Sequence, residues 1–145
     1  MPETRSGWET ALTEVSSPSW TRRVRAGHDL ASFTGIPEVA EALVGLLLDA
    51  EDTAVTRGAA EALARVGTVT AMRLVALALS RADDNQADWL QTGVHDALVG
   101  PGSAPDLVAV CRKLARHPEE AVRRGAAEIS VWVDTGRHRS ESSCR

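Results

Sequence analysis

The chain has 145 residues, of which 43% are hydrophobic and 25% charged, and its formal net charge is −4. This length and composition are typical of one globular domain, and the negative balance argues against nonspecific nucleic-acid binding, which depends on an excess of basic residues. The two cysteines, Cys111 in an apolar stretch and Cys144 in a polar one, do not form a disulfide framework and indicate a reducing compartment.

The N-terminal segment, residues 1–17, contains no apolar run of the kind that forms the core of a signal peptide. The longest apolar stretch of the chain, residues 42–48, is far too short to span a membrane. We therefore expect a cytoplasmic protein with no membrane partner. Residues 8–15 are amphipathic, which predicts a short helix that caps the domain that follows.

The main domain, residues 18–134, contains a segment that recurs. The sequence VTRGAAE at residues 55–61 returns 67 positions later as VRRGAAE at residues 122–128, and looser copies occupy residues 24–30 and 90–96. The copies share glycines at intervals of 31, 35 and 32 residues, namely Gly27, Gly58, Gly93 and Gly125. A fixed period in this range is typical of stacked supersecondary units rather than of one globular core.

Each repeat has the pattern of two helices with a break between them. In the first repeat, Pro37 suits the first turn of the second helix. In the second repeat, Asp52 and Thr53 are N-cap candidates for a helix that ends at Gly67, and Thr68 offers the next N-cap. The apolar positions between these signals follow the helical period of 3.6 residues.

The later breaks follow the same pattern. Residues 80–85 predict a polar loop and residues 100–105 a longer break, and residues 117–120 open the last copy with proline and acidic residues that favour a helix N-terminus. Residues 135–145 are polar and predict a disordered tail. We therefore expect seven helices, an eighth at the N-terminus, and no sheet.

A glycine in the same place of every copy predicts a close contact between helices. Glycine inside a helix costs roughly 1 kcal/mol relative to alanine. Its retention in four copies therefore indicates a position where a methyl group would obstruct packing.

The segment from Leu46 to Gly67 contains a leucine run, an acidic turn, a Val-initiated helix, a pair of small residues and a closing glycine. In these features it resembles the HEAT-repeat superfamily, in particular the short HEAT-like repeats related to phycobilisome lyases. Thr56 and Gln91 stand where the family usually has arginine. The resemblance covers about residues 20–133, and it implies an all-α fold, a right-handed α-solenoid of about four helical hairpins.

The resemblance implies a non-catalytic scaffold or adaptor that binds another protein, such as an assembly factor or an inhibitory or immunity factor. Two alternatives stay open. One is a nucleic-acid-associated, DNA-repair-like protein that uses clustered arginines, and the other is a lyase or chaperone that handles a bound small molecule. The arginine clusters are Arg22-Arg23, Arg25, Arg123-Arg124 and Arg137-His138-Arg139. Acidic residues interspersed among them favour a solvated, salt-bridged surface instead.

Candidate chemical groups are few. His28-Asp29 and His95-Asp96 resemble the paired ligands of metal-dependent phosphohydrolases, but a metal needs three or more converging ligands. Cys111 lies among apolar residues, which is typical of a small buried thiol. We therefore predict no catalytic residue, no cofactor and no metal site.

The tryptophans lie off the repeating template. Trp20 and Trp132 fit packing at the two ends of a stack, whereas Trp89 is the stronger candidate for an anchor of a partner, because tryptophan is enriched among interface hot spots.

In the HEAT superfamily the second helix of each pair lines the concave side. The polar residues at these positions run from acidic to basic along the chain. With Trp89, the predicted partner-binding residues are Glu38, Glu41, Thr70, Arg73, Asp106, Arg112 and Arg116.

Overall fold

The computed structural model describes the backbone of residues 7–99 and 106–143, and the side chains of residues 7–99 and 106–134. All regular secondary structure in this part of the chain is helical, which confirms the all-α prediction and the N-terminal helix. In chain order the elements are α1 (Gly7–Glu14), α2 (Trp20–Leu30), a 3-10 helix (Ala31–Phe33), α3 (Pro37–Leu47), α4 (Thr53–Val66), α5 (Val69–Arg81), α6 (Asp84–Val99), α7 (Leu107–Leu114) and α8 (Glu120–Ser143).

The predicted capping residues of α4 and α5 are confirmed. The side chain of Asp52 accepts a hydrogen bond from the N–H of Ala54 at 2.9 Å, and Thr68 accepts one from Ala71 at 3.1 Å. Gly67 ends α4 in the left-handed conformation, with φ of 66°. A side chain is disfavoured at that φ, so glycine permits the sharp turn from α4 into α5.

Two predicted boundaries differ from the observed ones. The polar loop expected at 80–85 shrinks to residues 82–83, because α5 continues to Arg81 and Asp83 accepts the N–H of Gln86 at 2.7 Å to start α6 early. The backbone is helical as far as Ser143, where the composition predicted a disordered tail from residue 135. Helix elongation adds one hydrogen bond per residue fixed, and no proline follows Pro118 to interrupt it. The break expected at 100–105 lies outside the described residues.

The helices pack in two sets. In one set, α4 packs against α2 on one side and α6 on the other; in the second, α5 packs against α3 and α7. The last helix departs from this order, because α8 packs more extensively on α5 and α7 than on α6. One apolar cluster connects both sets, and its largest fully buried side chains include Leu30, Leu43, Leu63, Met72, Leu90 and Ile129.

Two repeat glycines mark close helix contacts, as predicted. A Cβ on Gly93 of α6 would collide with the carbonyl oxygen of Arg57 in α4 and stand 2.7 Å from the Cβ of Ala60. A Cβ on Gly125 of α8 would stand 2.7 Å from two backbone carbons of Ala76 in α5. Both glycines therefore allow a neighbouring helix to approach at backbone distance.

The first copy is shifted by one residue from the predicted register. A Cβ on Gly27 would have only ordinary contacts at 3.6 Å and beyond. The buried positions of α2 are Arg23, Ala26, Gly27 and Leu30, and those at the matching places of α4 are Val55, Gly58, Ala59 and Ala62. The alignment of Gly27 with Gly58 was therefore wrong: Ala26 takes the place of the repeat glycine, and Arg23 takes the place of the repeat valine.

A bilayer-spanning helix needs roughly 20 consecutive apolar residues. Among the helices of residues 7–99 and 106–143, none combines the length and the apolar character that such a span requires.

Candidate interaction surface

Helix α5 exposes one narrow stripe between its neighbours α3 and α7. Thr70, Ser80 and Arg81 are exposed and Arg73 and Leu77 are half-buried, and their spacing places them on one side of the helix. The other positions of α5 are occupied by contacts with the surrounding helices. The stripe is therefore the part of α5 that faces solvent.

Helix α3 carries the acidic part of this surface. Glu38, Glu41 and Gly45 are exposed at positions i, i+3 and i+7, so they share one side of the helix. They line an open groove of about 440 Å³ between the end of α1 and the face of α3. The other residues that line it are Val15, Ala42, Leu46 and Asp49.

Helix α7 carries the basic part. Arg112 and Lys113 are exposed in its last turn, and Arg116 is exposed just beyond it. Asp106, a predicted partner-binding residue, has a structural task here, since its side chain accepts the N–H of Ala109 at 3.1 Å and caps the helix. We call the exposed and half-exposed stripe residues the α3–α5–α7 face: Glu38, Glu41, Gly45, Thr70, Arg73, Leu77, Ser80, Arg81, Arg112, Lys113 and Arg116.

The charges at the two ends of the α3–α5–α7 face have no internal partners. Neither Glu38 and Glu41 nor the three cations of the α7 end forms an ion pair with another described side chain. The ion pairs of this part of the chain lie elsewhere and join Arg23 to Asp49 and Glu51, Arg57 to Asp96, and Arg65 to Glu61. The acidic and basic ends are therefore available to an external partner.

The tryptophans separate into packing and surface residues. Trp132 is 5% exposed and belongs to the core, whereas Trp20 is 48% exposed at the start of α2. Trp89 is half-buried on α6 and lies outside the set of half-buried apolar side chains that pack on the core of the described residues. Because α6 packs mainly on α4, Trp89 is not part of the α3–α5–α7 face.

Two arginines of the predicted basic clusters, Arg23 and Arg123, donate hydrogen bonds to backbone carbonyls of this chain. Nη1 of Arg23 donates to the carbonyl of Ser17 at 2.7 Å, and Nη1 of Arg123 donates to the carbonyls of His117 at 2.7 Å and Pro118 at 2.9 Å. Sequence analysis missed this shared role. A usable signal was present, because both arginines follow a proline, Pro18 or Pro118, by five residues.

The second role of Arg23 is a buried ion pair with Asp49, whose side chains are 7% and 13% exposed. Nη2 of Arg23 donates to Oδ2 of Asp49 at 3.4 Å, while Nε lies 3.3 Å from Oδ1 without hydrogen-bond geometry, so that contact is electrostatic. Asp49 Oδ2 also accepts the N–H groups of Glu51 at 3.2 Å and Asp52 at 2.7 Å. The pair therefore ties α2 to the loop between α3 and α4.

The exposed arginines of α2 have acidic neighbours. Arg22 and Arg25 line an open groove of about 570 Å³ together with Glu14 and Asp29. Opposite charges in the same groove reduce the attraction that a phosphate backbone would feel. Arg124 is exposed on α8, and the side chains of residues 137–139 lie outside the described set.

The two His-Asp pairs differ in exposure and in their contacts. His28 and Asp29 are exposed on α2, whereas His95 Nε2 lies 3.2 Å from the carbonyl oxygen of Trp132. Asp96 accepts two hydrogen bonds from Arg57, from Nε at 2.6 Å and Nη2 at 3.2 Å, and this contact raises the pKa of the guanidinium. In the described part of the chain, no three His, Cys, Asp or Glu side chains converge as metal ligands would.

Cys111 is buried in α7, and burial raises the pKa of its thiol; a contact with Ser130 opposes this shift and the charge of Asp134 adds to it. A raised thiol pKa disfavours the reactive thiolate at neutral pH.

Comparison of the chain with protein-family models, with curated proteins and with solved structures finds no match in any of the three.

Proposed function

We propose that this chain is a HEAT-like α-solenoid scaffold that binds another protein through the α3–α5–α7 face. The observation that carries the proposal is the distribution of exposed charges without ion pairs to other described side chains, which are acidic on α3 and basic on α5 and α7. Complementary charge on a partner would steer encounter and fix its orientation.

The proposed repeat architecture rests on two features. The helices alternate between two sets, so that α4 lies between α2 and α6 while α5 lies between α3 and α7. Small residues recur at the contacts within and between these sets, as at Gly93 against α4 and Gly125 against α5. Units of this kind bury their apolar sides against neighbouring copies and leave an extended surface for binding.

The mechanism is association without bond chemistry. The helices hold the stripe residues in fixed relative positions. Binding of a matching partner therefore costs the scaffold little conformational entropy. Exposed charges of this kind contribute to the rate and specificity of association more than to its strength. We therefore expect binding that weakens as salt is added.

The nucleic-acid alternative is less well supported. Arg23 and Arg123 are used internally, and Arg22 and Arg25 share their groove with two acidic residues. The nucleic-acid alternative predicts that binding depends on Arg22 and Arg25, whereas the proposed scaffold role predicts that it depends on Arg112 and Arg116. One experiment therefore distinguishes the two functions.

The test is capture of partners from a lysate of the native cell by the immobilised full chain, before and after nuclease treatment. The double variant Arg112→Glu/Arg116→Glu changes the proposed face, and the matched variant Arg22→Glu/Arg25→Glu reverses two exposed arginines outside it. We expect capture of a specific protein to persist after nuclease treatment. The variant Arg22→Glu/Arg25→Glu should still capture this protein, whereas Arg112→Glu/Arg116→Glu should not. Nuclease-sensitive capture that depends on Arg22 and Arg25 would instead support nucleic-acid binding and contradict the proposal.

A further inference from the structure

Two helices of this chain carry nearly the same seven residues, but only one of the two segments is covered by another helix. Residues 55–61 of α4 read VTRGAAE and are covered by α6, whereas residues 122–128 of α8 read VRRGAAE and have an exposed outer side. We propose that α8 is a second docking site, which binds an α-helix of another protein that carries a glycine and, three positions later, an aspartate. The site lies outside the α3–α5–α7 face and does not depend on the proposed use of that face.

The contact between α4 and α6 shows how this segment holds a helix. A Cβ on Gly93 would stand 2.7 Å from the Cβ of Ala60 and 3.1 Å from the backbone nitrogen of Glu61, so the two helices approach at backbone distance. Nearly one turn later in α6, Asp96 accepts hydrogen bonds from Nε of Arg57 at 2.6 Å and from Nη2 at 3.2 Å. The segment therefore recognises a helix by two features, a position without a side chain and a carboxylate three positions further on.

Helix α8 presents the same groups to solvent. The residues that correspond to the three contact residues of α4 are Arg124, Ala127 and Glu128, and all three are exposed. By contrast, Ala60, which corresponds to Ala127, is fully buried. Within the described part of the chain, Arg124 forms no ion pair, whereas the corresponding arginine of α4 is paired with an aspartate of α6. The guanidinium of Arg124 is therefore available to a carboxylate of a partner.

The inner side of α8 holds this outer side in a fixed orientation. Gly125 lies against the backbone of Ala76 in α5, and Ile129 is buried in the core. Ala127 is two positions from both residues, which places it on the opposite side of the helix. One turn further along, Val131 is 62% exposed. A helix that crosses Ala127 would therefore also bury apolar surface, which stabilises association.

A second copy of this chain does not supply the required helix. The sequence Gly-x-x-Asp occurs once in the 145 residues, at Gly93 and Asp96, and both residues are engaged with α4. The helix that binds α8 must therefore come from a protein of different sequence. Its aspartate is complementary to Arg124, which would fix the orientation of the bound helix.

The test uses a fluorescent peptide with the sequence of α6, residues 84–99, which is titrated with the purified full chain and followed by fluorescence anisotropy. Because a helix of this length is marginally stable alone, a hydrocarbon staple joins positions 84 and 88, which are exposed in the fold and lie on the side opposite Gly93. We expect saturable binding to α8, since α4 of the full chain already holds its own α6.

Two variants of the chain change the site itself. Ala127→Leu, at an exposed position that the fold tolerates, should raise the dissociation constant at least about tenfold, because the larger side chain prevents close approach of the two backbones. Arg124→Glu should raise it roughly fivefold, the contribution of an exposed ion pair. The variant Arg112→Glu/Arg116→Glu, on the α3–α5–α7 face, should bind the peptide like the wild type.

Two variants of the peptide complete the test. A peptide with Gly93→Leu should not bind, because the new side chain would collide with the backbone of α8. A peptide with Asp96→Arg should bind the Arg124→Glu chain more tightly than the wild-type chain, since the ion pair is then restored with its charges exchanged.

A wild-type chain that fails to bind the peptide would overturn the proposal. Binding that neither Ala127→Leu nor Arg124→Glu weakens would also overturn it, because the peptide would then occupy a different surface. Self-association of the wild-type chain that Ala127→Leu abolishes would identify a second copy as the occupant and contradict the assignment to another protein.

Discussion

Gly125 of α8 lies directly against the backbone of Ala76 in α5, so that a Cβ built on Gly125 would stand 2.7 Å from both the Cα and the carbonyl carbon of Ala76. Real Cβ atoms essentially never approach other atoms this closely. The obstructing atoms belong to helical backbone, which cannot rotate aside as a side chain can. The contact between α5 and α8 therefore depends on the missing side chain.

The variant Gly125→Ala should destabilise the fold. Helix propensity favours alanine by roughly 1 kcal/mol, but forcing two backbones apart should outweigh this gain and leave a net loss of about 2 kcal/mol. Urea unfolding followed by circular dichroism measures the difference. In the matched variant Gly45→Ala the new Cβ meets nothing within 4 Å, so propensity alone should act and stability should rise. Equal or greater stability of Gly125→Ala would show that the helices are not in such close contact.

The local features of the fold were predictable because they depend on neighbouring residues. Asp52 and Thr68 cap the helices that the sequence assigns to them, and Gly67 supplies the left-handed turn between α4 and α5. These interactions join residues two to four positions apart, and the preference of each residue type is strong enough to be read from a single sequence.

The features that sequence analysis missed depend on contacts between distant residues. In the first copy Arg23 takes the place of the repeat valine, and its buried side chain contacts Asp49, 26 positions away, which no local pattern reveals. The preference of α8 for α5 over α6 arises from packing, not from any pattern in α8 itself. On the candidate surface, exposure of Glu38, Glu41 and Arg112 follows from helical periodicity, whereas the location of Trp89 on a different set of helices required the arrangement of α6.

Two of the carboxylates that bind arginine, Asp49 and Asp96, should differ in their effect on stability. Asp49→Asn leaves the buried guanidinium of Arg23 with only the exposed Glu51, 3.8 Å away, as a counterion and should cost about 3 kcal/mol. Asp96→Asn affects a pair in which Arg57 is 47% exposed at its side chain, so it should cost less than about 1 kcal/mol.

Unfolding at low and at high salt provides the check on this comparison. The effect of Asp96→Asn should shrink as salt screens the exposed pair, while that of Asp49→Asn should change little. If both variants lower the free energy of unfolding equally and respond equally to salt, then burial does not make the pair between Arg23 and Asp49 more important for stability than the exposed pair.

Thr56 is a site where a substitution should stabilise the protein. Its side chain is fully buried, and its hydroxyl has no hydrogen-bond partner in the described part of the chain. Thr56→Val replaces the hydroxyl by a methyl group of similar size and should raise the free energy of unfolding by about 1 kcal/mol. Thr56→Ser, which keeps the hydroxyl and deletes the methyl, should lower it. A destabilised Thr56→Val would indicate that the hydroxyl is hydrogen-bonded after all.

Burial of Cys111 makes stability depend on pH in the alkaline range. The folded pKa is raised above the ordinary value of 9.0, mainly by desolvation. The unfolded thiol therefore loses its proton first, and the stabilising contribution, complete below the unfolded pKa, is lost as pH rises through the folded pKa.

The measurement is the free energy of unfolding between about pH 8 and 10, in a Cys144→Ser background that leaves Cys111 as the sole thiol. The chain has no tyrosine and Lys113 is its only lysine, so few other groups titrate there. Cys111→Ala in the same background should reduce the decline of stability with pH. An unchanged decline would mean that the thiol is as solvated in the folded state as in the unfolded one.

The proposed scaffold role depends most on which surface of the chain contacts the captured protein. Amide hydrogen exchange of the full chain, alone and in complex with that protein, locates the surface directly. We expect added protection in α3, α5 and α7, strongest around Glu41 and Arg112, and none in the outward side of α2 and α4. Protection confined to α2 and α4, with α3, α5 and α7 unchanged, would contradict the assignment of the α3–α5–α7 face as the binding surface.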